Sequence, residues 1–245
     1  MKIGIIGAGN IGGTLARKLS LLGHAVSIAN SRGMETLTAL AAETGATAVS
    51  IADAVKDQEL VIVTIPQKNI AFLPVGLFQD VPADVVIVDT GNYYPSFRDG
   101  HIYPIENGMA ESRWVSEQLG RPVVKVFNNI TAQSLAEGGL PPGTKDRIAL
   151  PVSGDDATAK AVVIGLVEAL GFDGIDAGCL DDSWRQQPGT PVYGTDLDAD
   201  GVRLALSQAD RSRSAELREL GIQKMQHLPQ GFTHHDLISL LRSLF

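Results

Sequence analysis

Two periodicities alternate along the chain. Apolar runs of strand length at residues 2–6, 25–29, 46–49, 60–65, 85–89, 122–127, 147–153 and 172–176 are separated by stretches whose apolar residues recur at helical spacing. Ile11, Leu15, Leu19 and Leu22 form the first such stripe, Met34, Leu37, Leu40 and Ala41 the second, and Val162, Val163, Leu166, Val167 and Leu170 a later one. Runs that are apolar throughout belong in a sheet buried on both faces, and regular strand–helix alternation joins them in parallel. The alternation continues past the sixth run without a shift in composition. It therefore predicts an α/β protein with one extended, mostly parallel sheet of about eight strands. Beyond residue 197 the pattern becomes helical only. It predicts one helix over 200–220, a break at Gly221, and a last helix opened by Thr233 and Asp236 as a capping box.

The first apolar run leads without a spacer into Gly7-Ala8-Gly9-Asn10-Ile11-Gly12, and the helix that follows stops at Gly23 before the second run. Strand, G-x-G-x-x-G, helix and strand in that order mark a dinucleotide-binding, Rossmann-type doubly wound fold. Gly7 suits the tight turn, Gly9 lets the backbone approach a pyrophosphate, and Gly12 lets the helix pack on the strand. Asn10 and Ile11 open the helix whose free N–H groups face the anion. At the end of the second strand, where an acidic residue would hold the ribose of NAD, stand Asn30, Ser31 and Arg32. A hydroxyl donor and a guanidinium fork match a ribose 2'-phosphate, so the expected cofactor is NADP(H). The point where strand order reverses should bring Thr64, Ile65 and Pro66 to the carboxyl rim beside it. The fifth and sixth runs deliver Asn92, Tyr93 and Asn128 to the same rim. Asn92 and Tyr93 read as substrate-side residues, and Asn128 as a cleft residue or the cap of the next helix.

Residues 181–194, with two prolines, two glycines and a Trp-Arg pair, follow neither period and read as an ordered loop. Trp184 and Arg185 are expected to wall the substrate side, unless Trp184 and Tyr193 only pin the loop to the body. Residues 1–178 then form the NAD(P)-binding domain, and 179–245 a substrate-side loop and helical extension packed on it. Leu237, Leu240, Leu241 and Leu244 offer an apolar helix face to the body or to a second subunit, and a homodimer is expected.

Composition narrows the partners. Of 245 residues 44% are hydrophobic and the formal net charge is −8, with a pI near 5.1. That balance opposes a nucleic-acid or anionic membrane surface and leaves a small-molecule acceptor. No apolar stretch approaches a membrane span, and the first strand starts almost at once, so a cytoplasmic protein is expected. The single Cys179 cannot form an internal disulfide and reads as a small buried apolar residue. His234-His235 lacks a third ligand at recognisable spacing, so no metal is expected, and no catalytic residue is nominated.

Residues 3–32, the segment VVKVFNNI at 123–130 and LPVSGDD at 150–156 together resemble the NADP oxidoreductases that use the deazaflavin coenzyme F420. The resemblance spans residues 1–178. It implies that Ser31 and Arg32 receive the 2'-phosphate, the glycine turn the pyrophosphate and the sheet rim the nicotinamide. It further implies direct hydride transfer to a flat acceptor ring, coenzyme F420 as co-substrate, and no required general acid. After Gly178 the stretch WRQQPGTPVYG and the helical tail depart from that family's short end. The acceptor thus stays open between a deazaflavin, a flavin and a ferric chelate, and an NADPH-holding sensor without turnover is the alternative outside enzymes.

Overall fold

Six of the apolar runs pair into one parallel sheet in the computed structural model, which describes residues 1–245. The strands are β1 (Lys2–Ile6), β2 (Ala25–Ala29), β3 (Thr47–Ala48), β4 (Leu60–Val63), β5 (Val86–Asp89) and β6 (Val124–Lys125). Their order is β3-β2-β1-β4-β5-β6, so the direction of winding reverses between β1 and β4. The flanking helices are α1 (Asn10–Leu21), α2 (Thr38–Thr44), α3 (Tyr103–Glu106), α4 (Glu111–Leu119), α5 (Ala132–Glu137) and α6 (Ala157–Ala169). Successive strand residues point to opposite faces. Ile3, Ile5, Leu60, Ile62 and Val88 pack on one side with Leu15 and Leu19 of α1. Ile6, Val61, Val63 and Ile87 pack on the other with Phe78 and with Trp114 and Val115 of α4. Burial on both faces is why these strands carry so few polar residues.

The expected single eight-stranded sheet is not what forms. β7 (Ala149–Val152) and β8 (Asp173–Asp176) pair in parallel with each other as a separate two-stranded sheet. They meet the six-stranded sheet through one antiparallel bridge, in which Lys125 N donates to Ser153 O at 2.8 Å and Ser153 N donates to Lys125 O at 3.1 Å. The cause lies in the sixth run. Its buried Phe127 adopts a left-handed backbone with φ of 61°, which turns the chain after two paired residues.

The helical tail also differs from its expectation. Residues 200–220 form two helices, α7 (Ala199–Gln208) and α8 (Arg211–Gln226), because Asp210 accepts from Ser212 N and starts a new helix. Gly221 lies inside α8 rather than breaking it, and its missing side chain gives Leu244 room, 3.3 Å from where a Cβ would sit. The last helix, α9 (His234–Arg242), opens with the capping box of Thr233 and Asp236. Its Ile238 and Leu241 are buried against their own chain, while Leu237, Leu240 and Leu244 are half-buried. Val202 and Ala205 of α7 cover Ala149 and Ile175 of the small sheet, with Val192 between them. Cys179 is exposed instead of buried, since it sits at the start of the 3-10 turn Leu180–Gln186, with its thiol 3.2 Å from Asp182 Oδ2. No helix is long and apolar enough to cross a membrane.

Candidate functional site

A cleft of about 700 Å³ opens at the carboxyl ends of β1, β2 and β4, where strand order reverses. Its floor is the turn from Ile6 to Gly9, one wall is Asn30, Ser31 and Arg32, and the other runs through Thr64, Ile65 and Pro66 to the exposed Phe72. Gly7 has φ of 119°, and a Cβ there would lie 2.2 Å from Thr64 O. At Gly12, inside α1, a Cβ would meet Gly7 O at 2.0 Å, so this glycine sets how closely helix and turn pack. Gly9 is different, because a Cβ there would meet nothing within 4 Å. It faces the open cleft. As N-cap of α1 it supplies no side-chain acceptor, so the first turn, beginning with Asn10 and Ile11, keeps its N–H groups for a ligand. Asn10 and Ile11 themselves do not line the cleft.

Ser31 and Arg32 are exposed, and Arg32 enters none of the ion pairs of the chain. Asn30 lines the cleft, yet its side chain is engaged locally. Its Nδ2 donates to Thr36 Oγ1 at 2.9 Å, and its Oδ1 accepts from Arg32 N at 2.8 Å. The residues present therefore fit a phosphorylated dinucleotide. They offer unbonded N–H groups over a floor bare of side chain at Gly7 and Gly9, and a free cation and a hydroxyl in a cleft whose lining includes no carboxylate.

The rim beyond β4 is built in the opposite way. Asp89 at the end of β5 and Lys125 in β6 are both fully buried and form an ion pair of 3.2 Å. Asp89 also accepts from Ser112 Oγ at 2.7 Å and from Gly91 N at 2.8 Å. Next to them Glu111, at the start of α4, is 2% exposed and accepts from Tyr93 N at 3.2 Å. Burial pushes its carboxyl up to about 7, against the pull of Lys125 and Arg218. The buried Gln67 donates to Glu111 O at 3.1 Å, while its Oε1 has no partner. Beyond this cluster runs a ladder of amides. Asn92 Nδ2 donates to Asn128 O at 2.8 Å, Asn128 Nδ2 donates to Gln186 O at 2.7 Å, and Gln186 Nε2 donates to Asn128 Oδ1 at 2.9 Å. The hydroxyls of Tyr94 and Tyr193 touch each other, and burial raises the pKa of both.

Several expected site residues are thereby placed elsewhere. Asn128 is 2% exposed, its amide is consumed by the ladder, and it caps no helix, since Thr131 caps α5. Tyr93 is fully buried with its hydroxyl donated to Glu106 Oε1 at 2.6 Å, so it faces the body rather than a substrate. Burial, with that bond, pushes its phenol up to about 12. Trp184 and Arg185 do not line the cleft. The guanidinium groups of Arg185 and Arg211 lie 5.0 and 5.4 Å from the centre of the indole ring, and the contact with Arg211 pins the loop to the start of α8. Asn92 stands at the rim, tied to Asn128. The charged group under the rim was readable at one position only: Lys125 interrupts the apolar run VVKVF, and a lysine there must be buried with a partner. Nothing in the sequence pairs it with Asp89 or with Glu111.

The family described as NADP oxidoreductase, coenzyme F420-dependent, matches residues 2–93, from β1 to the end of the β5 rim. The hypothetical protein SMa0349 from Sinorhizobium meliloti has a similar structure, with 31% identity and a TM-score of 0.68 over 82% of this chain and 96% of that one. A proposed F420-dependent NADP reductase from Arthrobacter sp. FB24 aligns with 26% identity and a TM-score of 0.60, over 76% of this chain and 87% of its own. Protein YjhV of Escherichia coli K-12 is 37% identical over 105 residues, which are 43% of this chain and 77% of YjhV.

Proposed function

The chain belongs to the family of coenzyme F420-dependent NADP oxidoreductases, and from that premise we propose that it transfers hydride between NADP(H) and a small deazaflavin-like or flavin-like acceptor. One observation carries the cofactor reading. The side-chain-free floor at Gly9 and the carboxylate-free wall of Asn30, Ser31 and Arg32 belong to the same cleft. Gly7, Gly9 and the first turn of α1, from Asn10 to Gly12, hold the pyrophosphate, Ser31 and Arg32 hold the 2'-phosphate, and Thr64, Ile65 and Pro66 flank the remainder of the cofactor. When bound, the nicotinamide supplies or receives the hydride. The protein supplies position and exclusion of water, for which a closed, paired rim at Asn92 is suited.

The test is binding followed by turnover. Arg32→Ala should weaken NADPH about 10- to 100-fold and leave NADH within about twofold. Equal losses for both cofactors would overturn the 2'-phosphate assignment. Turnover of NADPH with oxidised coenzyme F420, and in parallel with flavin mononucleotide, is followed by the loss of acceptor absorbance. A second reading, an NADPH-holding sensor, draws support from one feature: Asn92, Tyr94, Asn128, Gln186 and Tyr193 fill the rim with bonds to one another. Tight NADPH binding without turnover on either acceptor would select it.

A further inference from the structure

The wall that carries Ser31 and Arg32 is short, exposed and unsupported by the sheet, since β2 ends at Ala29 and the next helical residue is Met34. A turn of that kind samples many conformations unless something fixes it, and each loss of freedom on binding weakens the complex. Here it is fixed. Arg32 N donates to Asn30 Oδ1 at 2.8 Å, Asn30 Nδ2 donates to Thr36 Oγ1 at 2.9 Å, and Thr36 Oγ1 in turn donates to Gly33 O at 2.8 Å. Thr36 N adds a bond to the same carbonyl at 3.2 Å. The three side-chain-mediated bonds form a closed clasp around residues 30–36. Gly33 makes the loop possible, with φ of 97° and the Glu35 carboxylate folded against it where a Cβ would stand.

We propose that Thr36 is a positioning residue for NADP(H) specificity, acting through Asn30 to hold Ser31 and Arg32 in the conformation that receives the 2'-phosphate. This deepens the cofactor reading above and rests on it. The hydroxyl of Thr36 accepts from one side of the clasp and donates to the other, a pair of roles that a serine reproduces and a valine of the same shape does not. It also anchors the far end of the Asn30 amide. Without the acceptor at Thr36, only the bond from Arg32 N to Oδ1 holds the carboxamide, and its Nδ2 end is untethered.

The experiment measures dissociation constants of NADPH and NADH, by the change in nicotinamide fluorescence, for the unmodified protein and for Thr36→Val, Thr36→Ser, Arg32→Ala and Arg32→Ala with Thr36→Val. Thr36→Val should weaken NADPH roughly three- to tenfold, the range of one lost hydrogen bond, with NADH changed by less than about twofold. Thr36→Ser should restore NADPH binding to within about twofold. In the Arg32→Ala background Thr36→Val should cost nothing further, because the residue being positioned is gone. A smaller loss with Thr36→Val, an equal loss for NADH, failure of serine to rescue, or losses that add in the double variant would each overturn the proposal. Arg32→Ala separates the two levels. A selective loss of NADPH with a neutral Thr36→Val removes only the clasp, whereas equal losses for both cofactors remove the 2'-phosphate site itself and the clasp's role with it.

Discussion

The two halves of the carboxyl rim are made of the same secondary structure and opposite chemistry. At β1, β2 and β4 the rim exposes a guanidinium without a partner, a glycine facing empty space and a helix N-terminus without a side-chain cap. At β5 and β6 the Asp89 carboxylate and the Lys125 ammonium group are buried and paired, and the amides of Asn92 and Asn128 bond to neighbouring chain. An open half binds by lending unsatisfied groups to a ligand. A closed half binds only by shape or by giving up a bond it already makes. The contrast leaves free charge and unsatisfied donors on the first half and rigidity on the second.

The largest effects should come from breaking the closed half. Lys125→Met leaves Asp89 as a buried carboxylate without its cation and should cost about 3–5 kcal/mol in urea unfolding. Adding Asp89→Asn should return at least half of that loss, since an apolar and an amide side chain can share the site without charge. NADPH binding by the folded fraction should change little.

Glu111 gives the same half a pH signature. Its carboxyl titrates near 7 in the folded chain, above the usual carboxylate value, so the folded state holds a proton that the unfolded state releases. Stability from this group is present at low pH and declines as pH rises toward 7, by about 3 kcal/mol in all, then levels off. Glu111→Gln keeps an acceptor for Tyr93 N. It should flatten the difference between urea midpoints at pH 5 and pH 8 and stabilise the protein at the higher pH. An unchanged slope would show that the carboxyl is ionised throughout.

Two glycines sharpen the contrast within the open half. Gly12→Ala should destabilise by about 1–3 kcal/mol, because its Cβ would lie 2.0 Å from Gly7 O. Gly9→Ala should change stability by less than about 1 kcal/mol yet weaken NADPH about tenfold, because its Cβ enters the space where the cofactor backbone must approach. The smallest effect belongs to Trp184→Leu. It removes two cation–π contacts, costs about 1 kcal/mol, and should leave both cofactor dissociation constants within about twofold. A large loss of binding would place the 181–194 loop at the cleft after all.

The open half was legible in the sequence because its determinants are local. A strand, three spaced glycines and a strand-end tripeptide all lie within 32 residues, and their geometry follows from backbone rules. The closed half was not, since its partners are far apart in the chain: Lys125 meets Asp89 across 36 residues, and Asn128 meets Gln186 across 58. Periodicity sees an apolar run and cannot tell where a buried Phe127 will turn left-handed and end it. It also cannot tell a loop that walls a site from one whose tryptophan contacts two arginines. At closest range the clasp of Asn30 and Thr36 escaped as well, because it spans a turn, where neither the helical nor the strand period applies.

The bridge between Lys125 and Ser153 has a consequence for assembly. A parallel sheet with a long bare margin invites a neighbouring chain to add a strand. Here one margin, β3, is two residues long, and the other, β6, is equally short and already occupied by Ser153. Neither border of the six-stranded sheet offers a long template for strand addition, so that sheet is shielded from edge-to-edge aggregation by the turn that kept it from reaching eight strands.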